Sequence, residues 1–124
     1  MAYSISWEPD VSIVTFNGDI TIKDIEDANQ DIHGDFRTFE KSGSIWNFSN
    51  CNMSSIKPKD LMYTEAVDLG LSLAIKSFKL ALIAGDSHSY SLLESYINNS
   101  LEYESPWEYK ILASLEEANK WIAS

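Results

Sequence analysis

Leu80-Ala81-Leu82-Ile83-Ala84 is an apolar run closed by Gly85-Asp86. It falls far short of the ~20 residues that a membrane span needs. No polar residue alternates within it, so neither face of the strand it would form can be wet. Such a strand sits centrally in a sheet that is covered on both faces. Parallel neighbours require long crossovers, usually helical, so this one run already asks for strands that alternate with helices.

The rest of the chain supplies them. Tyr3, Ile5 and Trp7 alternate with Ser4, Ser6 and Glu8, a strand with one wet face. Pro9-Asp10 turns the chain into a second strand, Val11 to Phe16, so the two form an antiparallel hairpin, and Asn17-Gly18-Asp19 ends it. Ile22, Ile25, Ala28 and Ile32 then recur at helical spacing behind Thr21 and Asp24, a capping pair, with an end expected near Gly34. Ile45 to Ser49 reads as a third strand and Tyr109 to Leu112 as a fifth. Pro58 is placed to open a second helix through about Ile75, because proline fits the first turn. Ser87 is placed to cap a third, carrying Leu92, Leu93, Tyr96 and Ile97. Ser114 and Glu117 form a capping box before Ala118, Trp121 and Ile122. The order β-β-α-β-α-β-α-β-α predicts an α/β fold: a mixed sheet of about five strands, mainly parallel with an antiparallel edge hairpin, and about four helices. With no linker and no internal repeat, residues 1–124 are expected to form a single domain.

Charge narrows the partners. Nine basic against nineteen acidic side chains give a formal charge of -10, a field that repels phosphate backbones and anionic lipid. Arg37 is the only arginine. Nucleic acid and membrane surfaces are therefore disfavoured, and a basic protein or a neutral ligand is favoured. The lone Cys51 and an N-terminal stretch without a basic start and apolar core lead to the expectation of a reducing, cytoplasmic setting.

The element order, the hairpin start, the Leu80 to Gly85 strand and the ending Tyr-Lys-Ile-Leu-Ala-Ser-Leu-Glu-Glu-Ala-Asn-Lys-Trp-Ile resemble the STAS-like, or SpoIIAA-like, domains. The resemblance runs from about Tyr3 to Ile122. It implies the fold of the anti-sigma-factor antagonists, which carry an aspartate at the third strand and a phosphorylatable serine, followed by glycine, at the start of the second helix. Here Asn47 stands for the strand acid, no acid precedes Ser54-Ser55, and Ile56 stands for the glycine. Ser54 and Ser55 are the positions a phosphosite would occupy; the plainer reading is that Ser55 caps the Pro58 helix. The chain looks closer to an uncharacterised branch that is similar to both STAS and CRAL-TRIO lipid-binding domains and lacks the phosphoserine motif.

Candidate chemistry is sparse. Gly85-Asp86-Ser87-His88-Ser89 follows the central strand, at the carboxyl end where α/β sheets usually place ligands. Ser89 stands where a nucleophile elbow needs glycine, and His33 is remote in sequence, so a small hydrolase is a distant alternative. Asp86 with His88, or Asp31, His33 and Asp35, give too few ligands in one segment for a closed metal site, and Cys51 has no neighbouring base. No cofactor motif is present. Asp24, Asp27 and Asp31 form an acidic stripe on the first helix, a solvated face or a dock for a basic partner.

On the second helix, Met62, Tyr63, Ala66, Val67, Leu69, Gly70, Leu73 and Ala74 cover roughly 200° of the circumference, about twice what covering a sheet requires. Gly70, near the middle of that arc, would allow close backbone approach. Trp107, beside Pro106, would line a pocket mouth. The expected function is a non-enzymatic module of protein–protein contact, regulatory in kind, with a homodimer through the second helix as its simplest form. The alternative is an apolar small molecule or lipid bound beside that helix. The expected contact residues are Asp86, Ser87, His88, Trp107, Tyr63 and Gly70.

Overall fold

The computed structural model describes residues 2–124. Five strands, β1 (Tyr3–Trp7), β2 (Val11–Asp19), β3 (Gly43–Asn52), β4 (Lys79–Ile83) and β5 (Glu108–Leu112), lie side by side in chain order. β1 pairs antiparallel with β2, and every later pair is parallel. β4 thus lies inside the sheet between β3 and β5, as its unalternating apolar run predicts.

Side-chain alternation divides the sheet into two faces. Val14, Trp46, Leu82 and Ile111 sit abreast on one of them. Against this face pack α1 (Ile22–His33) and α3 (Ser87–Glu102), which build the larger core with it, Phe16 stacking on Phe48 at 4.6 Å, while α2 (Met62–Ser72) adds no residue to that core and packs on α1 and α3. On the opposite face, α4 (Leu115–Ala123) lays Ala118 and Ile122 onto Val11, Ile45, Ala81 and Ile83. Both faces of β4 are therefore covered, which explains why no polar position follows Lys79 along it.

Local signals placed most ends well. The Asp24 carboxylate accepts the Thr21 N–H at 2.8 Å, and the Ser114 hydroxyl accepts the Glu117 N–H at 3.2 Å. Three readings need correction. Pro58 opens a short 3-10 turn, Pro58–Leu61, and the α-helix begins only at Met62; the turn's cap is Lys57, whose N–H is accepted by Asp60, so Ser55 does not cap it. Ser55 instead donates to the Ile20 carbonyl at 3.3 Å. The third helix is capped by Asp86 rather than Ser87, because the Asp86 carboxylate accepts the Ser89 N–H at 2.8 Å.

The largest departure concerns α2. Its buried residues are Thr64, Glu65, Asp68 and Ser72, all polar. Met62, Tyr63, Ala66, Gly70, Leu73 and Ala74 are exposed, and Val67, Leu69 and Leu71 are half-buried. The apolar arc therefore faces largely outward. Gly70 permits no close approach, since a Cβ built there would meet nothing within 4 Å.

Candidate functional site

The residues singled out in the sequence fall in two separate places. At the carboxyl ends of β3 and β4, Asp86 and the first turn of α3, with Ser87 and His88, lie against the loop that leaves β3. His88 Nε2 is 3.1 Å from the Ile56 carbonyl, and a Cβ on Gly85 would come within 2.9 Å of the Ser49 carbonyl and 3.0 Å of that of Phe48. Gly85 is thus required by close packing on β3. The polar groups here are occupied with one another. Ser89 is buried, and its hydroxyl accepts the N–H groups of Gly85 and Asp86, each at 3.0 Å. Hydrogen bonds that the Asp86 carboxylate accepts from Ser89, its N–H first, hold that carboxyl below the usual aspartate range. Burial, with the Asp86 charge adding to it, pushes the Cys51 thiol up to about 11, the opposite of an activated nucleophile. Ser54 and Ser55 are exposed in the turn after β3, ahead of the helical segment rather than at its start. The Ser54 N–H donates to Asn52, and Asn47 spends its side-chain oxygen on the N–H and hydroxyl of Ser49 at 3.0 and 2.6 Å.

The second place lies between the sheet and α1, α2 and α3. A cavity of about 50 Å³ runs there toward the amino ends of β3, β4 and β5, where Ser44, Phe78 and Trp107 line it. Trp107 is buried, its indole N–H donating to the Ile75 carbonyl at 2.6 Å and its ring 4.8 Å from that of Phe78. It is a wall of the interior and not a pocket mouth. Outside, between α1 and α2, an open cleft of about 610 Å³ is lined by Tyr63, Val67, Glu26 and Asp27 among others.

The inward polar face of α2 forms the roof of the cavity. Asp68 accepts the Tyr96 hydroxyl at 2.6 Å through one oxygen, and the other lies 2.9 Å from His33 Nε2. Burial and the adjacent Asp68 charge keep the Tyr96 phenol protonated, well above its ordinary range. Glu65 accepts the Asn99 amide at 3.1 Å, and burial raises its carboxyl above the usual glutamate value. Below them, the Ser44 hydroxyl takes the Trp46 indole N–H at 3.1 Å and pairs with Ser12 at 2.7 Å. Thr64 is the exception: its hydroxyl is buried and has no hydrogen-bond partner among the described residues.

Reading the sequence alone missed Asn29, Thr64 and Asp68, weighed His33 only as a triad partner or metal ligand, and took Tyr96 only as part of the third helix's apolar face. Their signal was present: Thr64, Asp68 and Ser72 recur every four residues, a polar stripe opposite the apolar one. The first helix's acids are individually engaged. Asp24 caps, Lys23 lies 3.1 Å from Asp27, and Asp31 accepts the Tyr3 hydroxyl at 2.5 Å, which with burial lifts that phenol to about 12. Arg37 is held by Asp35 at 2.7 Å and stacks 4.3 Å over Trp7.

No protein-family profile matches the chain, and no curated protein does. Solved structures do. The anti-sigma factor antagonist SpoIIAA in its unphosphorylated form aligns with a TM-score of 0.68 at 13% identity, covering 98% of this chain and 96% of that one. The Bacillus cell fate determinant SpoIIAA in its phosphorylated form aligns at 0.60 and 14%, covering 98% and 99%. An uncharacterised DUF3478-family protein with a SpoIIAA-like fold, from Shewanella loihica, aligns at 0.53 and 16%, covering 98% and 92%. No helix among the described residues is long and apolar enough to cross a membrane. The strand order, the antiparallel pairing of β1 with β2 and this alignment over nearly the whole length show that the chain has the SpoIIAA-like fold.

Proposed function

We propose that the whole chain works as one cytoplasmic, non-enzymatic regulatory module that acts by protein contact, and that the contact is with a second copy of itself through the outward face of α2. The observation that carries this is the inverted helix. Tyr63 is 66% and Leu73 76% exposed, while the helix's two acids, Glu65 and Asp68, point inward. From Met62 to Ala74 the outward face therefore carries no charge, in a chain whose formal charge is -10. An uncharged apolar patch on an acidic surface suits self-contact, because like copies meet there without charge repulsion at close range, and a two-fold axis lets one patch cover itself. The resemblance to anti-sigma-factor antagonists supports the regulatory part of the reading. Asn47 at the strand-acid position and the placement of Ser54 and Ser55 ahead of the helix favour the branch without a phosphoswitch.

Sedimentation equilibrium tests the contact. The wild type is expected to be a dimer at micromolar concentration. Gly70→Arg, at a position with open space around it, should give a folded monomer with undiminished thermal stability. A wild type that stays monomeric at high micromolar concentration removes the self-contact.

A second reading, an apolar small molecule held beside α2, is favoured by the cavity and by Thr64, which lines it and whose buried hydroxyl has no partner among the described residues.

A further inference from the structure

We infer that the inner cavity and the α1–α2 cleft form one binding site, for a small, mostly apolar molecule with an uncharged or cationic hydrogen-bonding head, such as an alkyl alcohol or amine, rather than a carboxylate or phosphate ester. This rests on the second reading above and adds the ligand class to it.

The two spaces share a wall. Asn29, His33 and Thr64 line both the cavity and the cleft, so these three side chains are all that a molecule entering between the helices would have to displace to reach the interior. Thr64 is only 6% exposed and its hydroxyl is unpaired, a state that folded proteins largely avoid because a buried hydroxyl without a partner is costly. Asn29 is buried beside it. A ligand head at this junction would give the Thr64 hydroxyl its missing partner. Beyond the junction the wall turns apolar, with Trp46, Phe78, Leu80, Leu82 and Trp107. About 50 Å³ is several times the space one ordered water requires and takes the end of a short alkyl chain.

Charge selects the head. Among the described residues no lysine or arginine lines either space, whereas Glu26 and Asp27 line the cleft and Asp68 the cavity. Both Asp68 oxygens are already bonded, so its charge acts on the ligand through the field. His33, the one basic side chain at the junction, is committed to Asp68. An anionic head would meet three acids and no free cation; an alcohol or ammonium would not be repelled.

The test uses the full chain and three probes of equal tail length, butan-1-ol, butylammonium and butanoate, titrated while the four indole N–H resonances are followed by NMR. Butanol and butylammonium should move the signals of Trp46 and Trp107, which line the cavity, and leave those of Trp7 and Trp121, which do not. Butanoate should bind at least about tenfold more weakly. Thr64→Val, which removes the unpaired hydroxyl and keeps the shape, should raise Tm and weaken butanol about tenfold. If none of the probes moves the two lining indoles, the ligand site is wrong and the second reading falls with it. Should butanoate bind as well as butanol, the site stands and the ligand class is overturned. Unchanged butanol affinity in Thr64→Val removes Thr64 as the contact and overturns the placement of the head.

Discussion

Asp68 ties three helices together with two oxygen atoms, through Tyr96 of α3 and His33 of α1. Glu65, one turn away, is less well served: it is 4% exposed and it accepts from the neutral Asn99 amide. Burial therefore raises its folded-state pKa, and the amide's hydrogen bond only partly offsets that. A carboxyl whose folded pKa lies above its unfolded value costs stability as pH rises from the unfolded range, about 4.3, through the folded value. Glu65→Gln keeps an acceptor for Asn99 and removes the charge. Urea denaturation should find it more stable than wild type at pH 7, by on the order of 1 kcal/mol, with the advantage shrinking as the pH is lowered to about 3.5. An equal difference at both pH values, or a less stable variant at pH 7, would show that the buried charge is not what Glu65 costs.

At the scale of elements, strands and helices were readable where the chain's own neighbours decide them. The unalternating Leu80 to Ala84 run placed β4 inside the sheet, and the capping residues placed α1 and α4, because burial on two faces and unpaired helix-end N–H groups leave marks within a few residues. The orientation of α2 was not readable in this way. Its inward side is chosen by His33, Tyr96 and Asn99, which lie 28 to 35 residues away and give its acids their partners. The apolar arc, taken alone, pointed inward. The same limit hid the cavity, whose polar residues come from three helices and from Ser44 of β3, while the Asp86 loop stood out only because it follows the central strand. Gly85 shows how tightly that strand end is built. In Gly85→Ala the methyl would press on two backbone carbonyls of β3 that cannot swing aside, so a loss of roughly 1–3 kcal/mol is expected in urea denaturation. A loss below about 0.5 kcal/mol would mean that the end of β3 moves freely, and the packing of the two loops would have to be redrawn.

For the whole molecule, the question is which surface meets a partner, and salt separates the two candidates. One is the uncharged face of α2; the other is the acidic stripe of α1, with Asp24, Asp27 and Asp31, which would suit a basic protein. Two copies carrying a formal charge of -10 each repel at long range, and that repulsion is screened beyond about 8 Å at physiological ionic strength but reaches about 30 Å at 0.01 M. Contact through α2 buries apolar surface, at roughly 25 cal/mol per Å², which salt of this strength leaves intact. Raising salt from low to physiological strength should then tighten self-association, as measured by sedimentation equilibrium at the two ionic strengths. A self-contact that instead set the α1 acids of one copy against lysines of the other would weaken over the same range, because its attraction is itself screened. Association that loosens with added salt would therefore move the interface from α2 to α1, and with it the reason for the inverted helix.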